Sequence, residues 1–347
     1  MAPVRELTYW QAIAEGLVQG MERDPDVFVF GIGVDDHKGI FGTTRAAYER
    51  FGAERVFDVP NGENAMTGIA IGAAAVGKRP VYVHPRNDFM FLATDQIINL
   101  AAKWRYMYGA TSRVPIVVRA IIGKGWGQGA THSQSLQALF AHFPGLHVVM
   151  PALPADAKGL TLAALRAGSP VIILEHRALY ETKGPVPEAP EPTPLGTAAL
   201  VRSGRDVTIV ATSLMVVEAL KCAERLATLG VSVEVIDCRS LRPLDEETIL
   251  ASVRRTGRVI VADTSWVHYG VASEIAGLCA ERAFEHLRGP VRRLGLADCP
   301  APVSVALENA FYTTQHDLAA ECLRAVGRAP EEIGGASMEE SSFKGPY

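Results

Sequence analysis

Apolar residues recur along this chain in two alternating rhythms. Tyr9, Ile13, Leu17, Val18 and Met21 follow Thr8 at helical spacing, which predicts a helix capped by the threonine hydroxyl. The short apolar run VFVFG at 27–31 then predicts a buried strand. Further strands are expected at 80–84, 115–122, 146–150 and 170–174. They alternate with helices expected at 64–76, 93–107, 134–143 and 155–167. Such alternation predicts a parallel sheet with helices on both faces.

The rhythm stops between Tyr180 and Gly196, where ETKGPVPEAPEPTPLG carries five prolines and no apolar periodicity. It resumes with DVTIVAT and a helix over 214–229, VSVEVID and a helix over 245–255, GRVIVAD and a helix over 271–286, and finally VRRLGL. The expected organisation is two doubly wound α/β domains: 1–180, a proline-rich linker at 181–196, and 197–328. A polar tail rich in Gly, Ser and Glu follows at 329–347. A chain of 347 residues, 48% hydrophobic, can bury two such cores.

Composition then narrows the partners. A net charge of -4 and a pI near 6.2 give no broad basic field, so neither nucleic acid nor an anionic membrane is favoured. Cys222, Cys238, Cys279, Cys299 and Cys322 lack CxxC or CxH spacing, which argues against zinc and against a disulfide framework. No basic segment leads into an apolar run at MAPVRELTYW, and no stretch approaches twenty apolar residues. The expectation is a soluble, unprocessed, cytoplasmic chain.

In parallel α/β sheets ligands sit at the carboxyl ends of the strands. Three loops there carry chemistry: VPNGENAMTG (59–68), HPRNDFMF (84–91) and GKGWGQGATHSQ (123–134). Glu63 heads an Ala- and Gly-rich helix. It reads either as a first-turn charge favoured by the helix dipole or as a desolvated carboxylate able to hold a proton. His132 closes a loop with glycine at 123, 125, 127 and 129 and is either a capping or surface histidine or a proton carrier. That loop matches neither a Rossmann fingerprint nor a Walker loop. Phe89 and Phe91 could stack on a planar ring or simply fill the core. Asp35/Asp36 and Glu246/Glu247 are adjacent pairs that read as turn or helix-start charges.

Longer blocks carry more. ERDPDVFVFG, FGAERVFDVPNGENAMTGIAIGAA, DFMFLATDQIINLAAKWRYMYG, GATHSQSLQALFAHFPGLHVVMPALPADAKGL, SPVIILEHRALY and VEVIDCRSLRPLDEETI stand in an order that resembles a known family. That family is the beta subunits of the decarboxylating component of pyruvate and branched-chain 2-oxo acid dehydrogenases, within the transketolase-like enzymes. The resemblance implies a pyrimidine-binding first domain and a transketolase-like C-terminal domain. It implies that Glu63 hydrogen-bonds the aminopyrimidine of thiamine diphosphate, that Phe89 packs on that ring, and that His132, in an HSQ motif, faces the substrate.

The family's Gly-Asp-Gly diphosphate signature is absent from this sequence. The resemblance therefore implies that the cofactor is shared with an alpha-type subunit that also holds the magnesium, in an assembly with a second copy of this chain. A lipoyl acyltransferase core is the implied acyl acceptor. Relatives bind potassium near the position of 164–169, where Ala167 here replaces a common acidic residue. The stretch VHPRNDF also departs from the family pattern. It keeps open a thiamine-dependent enzyme that forms carbon–carbon bonds, and a non-catalytic scaffold subunit is a third reading.

Overall fold

A computed structural model describes residues 4–36, 38, 40–123 and 127–330. Lys124, Gly125 and Trp126 of the glycine-rich loop, and 331–347 of the expected tail, lie outside them. The first elements are β1 (Val4–Thr8), α1 (Tyr9–Arg23), β2 (Val27–Gly31), α2 (Arg45–Phe51), β3 (Val56–Asp58), α3 (Glu63–Ala75) and β4 (Arg79–His84). A 3-10 turn (Asn87–Ala93) and a π-helical turn (Asp95–Ala101) lead to α4 (Ala102–Met107), β5 (Val117–Ile122), α5 (Gln137–His142), β6 (His147–Val149), α6 (Pro154–Arg166), β7 (Val171–His176) and β8 (Lys183–Pro187). Then come β9 (Ala199–Arg202), β10 (Val207–Ala211), α7 (Leu214–Thr228), β11 (Val233–Asp237), β12 (Ser240–Arg242), α8 (Glu246–Thr256), β13 (Val259–Trp266), α9 (Val271–Arg282), β14 (Arg292–Leu296), α10 (Val305–Phe311) and α11 (Gln315–Ala325).

These elements form two compact units. The first takes residues 1–123, 132–196 and 240–243; the second takes 124–131, 197–239 and 244–347. In the first, seven strands run in the order β12-β6-β7-β5-β4-β2-β3, all parallel except β12, which pairs antiparallel with β6. β5 and β7 are buried along their whole length, as a sheet covered on both faces requires. Thr8 caps α1 in a capping box with Gln11, and α1 lies on α6 so closely that a Cβ on Gly16 would stand 3.0 Å from the Lys158 carbonyl. In the second unit five strands run β14-β13-β10-β11-β9, parallel except for β9.

Three expectations need correction. The single helix expected over 93–107 is the end of the 3-10 turn, a π-helical turn and the short α4. Apolar spacing over seven residues does not separate an i→i+4 ladder from an i→i+5 one. The helix expected over 271–286 ends at Arg282, with a separate 3-10 turn at Phe284–His286. Neither sheet is purely parallel, because each gains one antiparallel edge strand. The proline-rich stretch contains β8, antiparallel to β1, where prolines are tolerated on an edge. No helix among the described residues is long and apolar enough to cross a membrane.

Candidate active site

Glu63, Phe89 and His132 all lie beyond carboxyl ends of the first unit's parallel strands, after β3, β4 and β5. Glu63 is the first residue of α3, 9% exposed, so its carboxylate meets the helix dipole at the favourable end while largely out of water. α3 packs against the 3-10 turn that carries Phe89. The Phe89 and His132 rings meet edge to face, with centroids 5.3 Å apart at 87°. The structure thus gathers two of the three residues into contact and sets the helix of the third against the turn that carries Phe89. Phe91 is 45% exposed and fills no core.

A hydrogen-bonded clamp absent from the sequence reading holds that aromatic pair. Asp88 Oδ1 accepts from the Gln134 side chain at 2.8 Å and from its backbone N–H at 3.3 Å. The Asn87 amide donates to the Gln134 carbonyl at 2.9 Å and accepts from the Leu136 N–H at 3.0 Å. Asn87 and Asp88 are buried, so these bonds satisfy polar groups that water does not reach. The NDF segment after β4 is in this way stitched to the HSQ segment after β5. The signal was in the sequence, polar residues beside each aromatic, but only the adjacency of β4 and β5 pairs them.

Two further histidines sit at the same edge. His84 ends β4, 1% exposed, with its ring 4.2 Å from that of Tyr82; its Nε2 finds no hydrogen-bond partner among the described residues. Burial pushes its pKa down to about 3, so it is neutral at physiological pH. Burial, then the nearby Glu63 carboxylate, raises the Tyr82 hydroxyl to about 12, which sets Glu63 within electrostatic reach of this cluster. His176 ends β7 and accepts from the Ala178 N–H through Nδ1 at 3.2 Å, which leaves the proton of the neutral ring on Nε2. A Cβ on Gly123, whose φ is +82°, would stand 2.2 Å from that Nε2, so only glycine fits where β5 hands over to the loop.

The same edge is rich in positive charge. Arg86 and Arg177 are buried, and the Arg177 guanidinium lies over the Phe41 ring at 4.7 Å. Burial lowers Arg86 to about 10, opposed by Asp88 and Tyr180; burial and Arg86 lower Arg177 to about 9, opposed by Tyr180. Both stay charged at neutral pH. A buried carboxylate, a planar-ring contact surface, proton-bearing imidazoles and two guanidinium groups together suit a heteroaromatic cofactor and an anionic substrate.

Residues 5–183 match the transketolase pyrimidine binding domain, and 196–318 the transketolase C-terminal domain. The chain belongs to the transketolase family. Within that family it is similar to the beta subunit of acetoin:2,6-dichlorophenolindophenol oxidoreductase of Cupriavidus necator, 41% identical over 91% of this chain and 96% of the relative. It is 41% identical to a mitochondrial pyruvate dehydrogenase E1 component subunit beta-1 of Arabidopsis thaliana, covering 94% and 92%. It is also 41% identical to the 2-oxoisovalerate dehydrogenase subunit beta of Bacillus subtilis, covering 88% and 94%. Among solved structures, a split-gene transketolase described as an inactive beta4 tetramer superposes with a TM-score of 0.74 at 26% identity, over 92% of this chain and 98% of that one.

The transketolase family implies thiamine diphosphate, and the donor set here fits its aminopyrimidine. Glu63 offers a largely buried carboxylate for a ring nitrogen and Phe89 a ring face. Potassium near 164–169 fits less well. The carbonyls of Leu165 and Ala167 both accept from Arg79 Nη1, at 3.1 and 3.0 Å, so the cation they face is the chain's own.

Proposed function

We propose that this chain is the catalytic beta-type subunit of a thiamine-diphosphate-dependent 2-oxo acid dehydrogenase, active only with an alpha-type partner. The observation that carries the reading is the buried Glu63 carboxylate at the head of α3, set against the turn that presents Phe89 to His132. Bound thiamine diphosphate supplies the nucleophilic carbon and the electron sink for loss of carbon dioxide from the substrate. Glu63 shares a proton with the aminopyrimidine and so sets its tautomer. Phe89 packs on that ring, and the Asn87–Asp88–Gln134 clamp fixes its angle to His132. His132 faces the substrate and moves or holds a proton during decarboxylation and acyl transfer. Arg86 and Arg177 supply positive charge for the substrate carboxylate.

With no Gly-Asp-Gly segment, the diphosphate and magnesium fall to the alpha-type chain. A second copy of this chain completes the assembly, and a lipoyl acyltransferase receives the acyl group. These assignments draw on the beta-subunit relatives.

The test is Glu63→Gln in the reconstituted complex, assayed on a panel of 2-oxo acids and acetoin with an artificial electron acceptor. The amide keeps the shape but not the exchangeable proton. Turnover is expected to fall by about a hundredfold or more, a loss of about 2.7 kcal/mol of transition-state stabilisation, with assembly intact. Turnover within about threefold of wild type would return Glu63 to the role of a helix-start charge.

A further inference from the structure

A cavity of about 320 Å³ opens at the opposite edge of the first unit's sheet. Its walls come from the segments that precede β5, β6 and β7, closed on one side by α4 and on another by Arg242–Pro243 at the end of β12. The catalytic candidates stand at the carboxyl ends of these parallel strands and the cavity at the amino ends. One six-residue strand, roughly 20 Å, separates them.

The lining has a one-sided chemistry. Arg105, Arg242 and His147 supply the charged or titratable groups, and none of the lining residues is acidic. The Arg242 guanidinium is braced by donation from Nη1 to the Ala141 carbonyl at 2.9 Å, which fixes its plane. His147 Nδ1 is shielded from solvent with no hydrogen-bond partner among the described residues, an uncompensated polar atom of the kind a ligand satisfies. Burial, then the neighbouring Arg242, depresses the His147 pKa. Trp104, Val114, Leu146 and Pro170 supply the apolar remainder.

We infer that this cavity is a binding site for a small organic anion, a carboxylate on a compact apolar body, separate from the active site. Its carboxylate pairs with Arg242 and Arg105 and accepts from the His147 ring, while its body lies on Trp104 and Leu146. The volume is about ten times a water's share of the liquid, room for about ten non-hydrogen atoms. That size suits an aryl or branched alkyl acid.

The test is calorimetry of the full chain with phenylacetate, its neutral amide phenylacetamide, and inorganic phosphate. Phenylacetate is expected to bind one site per chain with Kd below about 1 mM, with phenylacetamide and phosphate each about tenfold weaker or worse. Arg242→Gln should weaken phenylacetate about tenfold, and the exposed Arg105→Gln, which leaves the β12 brace untouched, should weaken it severalfold. His132→Ala should not change it. Absence of binding to wild type at about 10 mM, or affinity equal to wild type in both arginine variants, overturns the site. Loss of binding in His132→Ala would place the ligand in the active site instead and also overturns it. Phosphate binding as tightly as phenylacetate would overturn the apolar-body assignment.

Discussion

Replacing Glu175 by glutamine strands a guanidinium in the first unit's core. Arg119 on β5 meets Glu175 on β7 through two bonds, Nε to Oε1 at 2.6 Å and Nη2 to Oε2 at 3.0 Å, with both side chains at most 2% exposed. The Tyr180 hydroxyl donates to the same carboxylate at 2.9 Å. Glutamine keeps one oxygen, so at least one of the three bonds is lost outright, and its amide hydrogens confront donors. The larger loss is the charge: Arg119 stays cationic without its carboxylate. Breaking one side of a buried pair costs about 3–5 kcal/mol, and the surviving oxygen argues for the lower end, about 3. For a unit of this size that is a fall of roughly 6–12 °C in melting temperature. Scanning calorimetry of the full chain measures it. The double variant Arg119→Met/Glu175→Leu removes both charges and should regain most of the loss, because burying apolar groups carries no such desolvation. A Glu175→Gln chain melting within about 2 °C of wild type, or a double variant as unstable as the sum of the singles, would refute the account.

Three further outcomes are expected. His132→Ala in the reconstituted complex should leave thiamine diphosphate affinity and exchange of its thiazolium proton intact while slowing single-turnover decarboxylation about a hundredfold; loss of exchange would move His132 to cofactor activation. The isolated chain should bind thiamine diphosphate only weakly in calorimetry; micromolar affinity without a partner would refute the shared site. His84 is held neutral to about pH 3 in the fold but takes a proton near 6.5 once unfolded, so the unfolded state binds more protons and stability falls as pH drops from about 6.5 toward 3. At about 1.4 kcal/mol per pH unit the loss reaches at most about 5 kcal/mol, and urea titrations of His84→Phe should show a flatter decline, an unchanged slope counting against it.

Much of this was legible in the chain itself. VFVFG coincides with β2 residue for residue, and Thr8 is the expected cap of α1, because both depend on neighbours within four positions. Loop position brought Glu63, Phe89, Phe91 and His132 forward only as alternatives beside ordinary structural roles, and the family resemblance singled out Glu63, Phe89 and His132. The pairing of β1 with β8 was not legible, since its partners are about 180 positions apart and one is rich in proline. Nor was the Asn87–Asp88–Gln134 clamp, which exists only because β4 and β5 are neighbours. α11 is a different case: Thr314, with Asp317 three residues on, and the stripe Leu318, Ala319, Cys322 and Leu323 spelled out a cap and a buried face that the strand count passed over.

The three residues of β12 bear on how this gene can be cut. Ser240–Arg242 come from well beyond the proline-rich stretch, yet they complete the first unit's sheet by covering β6. A fragment ending at residue 196 would contain Glu63, Phe89 and His132 but leave β6 as a bare edge, a row of open backbone donors and acceptors that recruits other chains. Such a fragment should aggregate when expressed alone. A break there in a divided gene would yield pieces that must find each other before the first unit's sheet is whole, so recombination that shuffles halves of this chain between relatives has to carry β12 with the half it follows in space and not the half it follows in sequence.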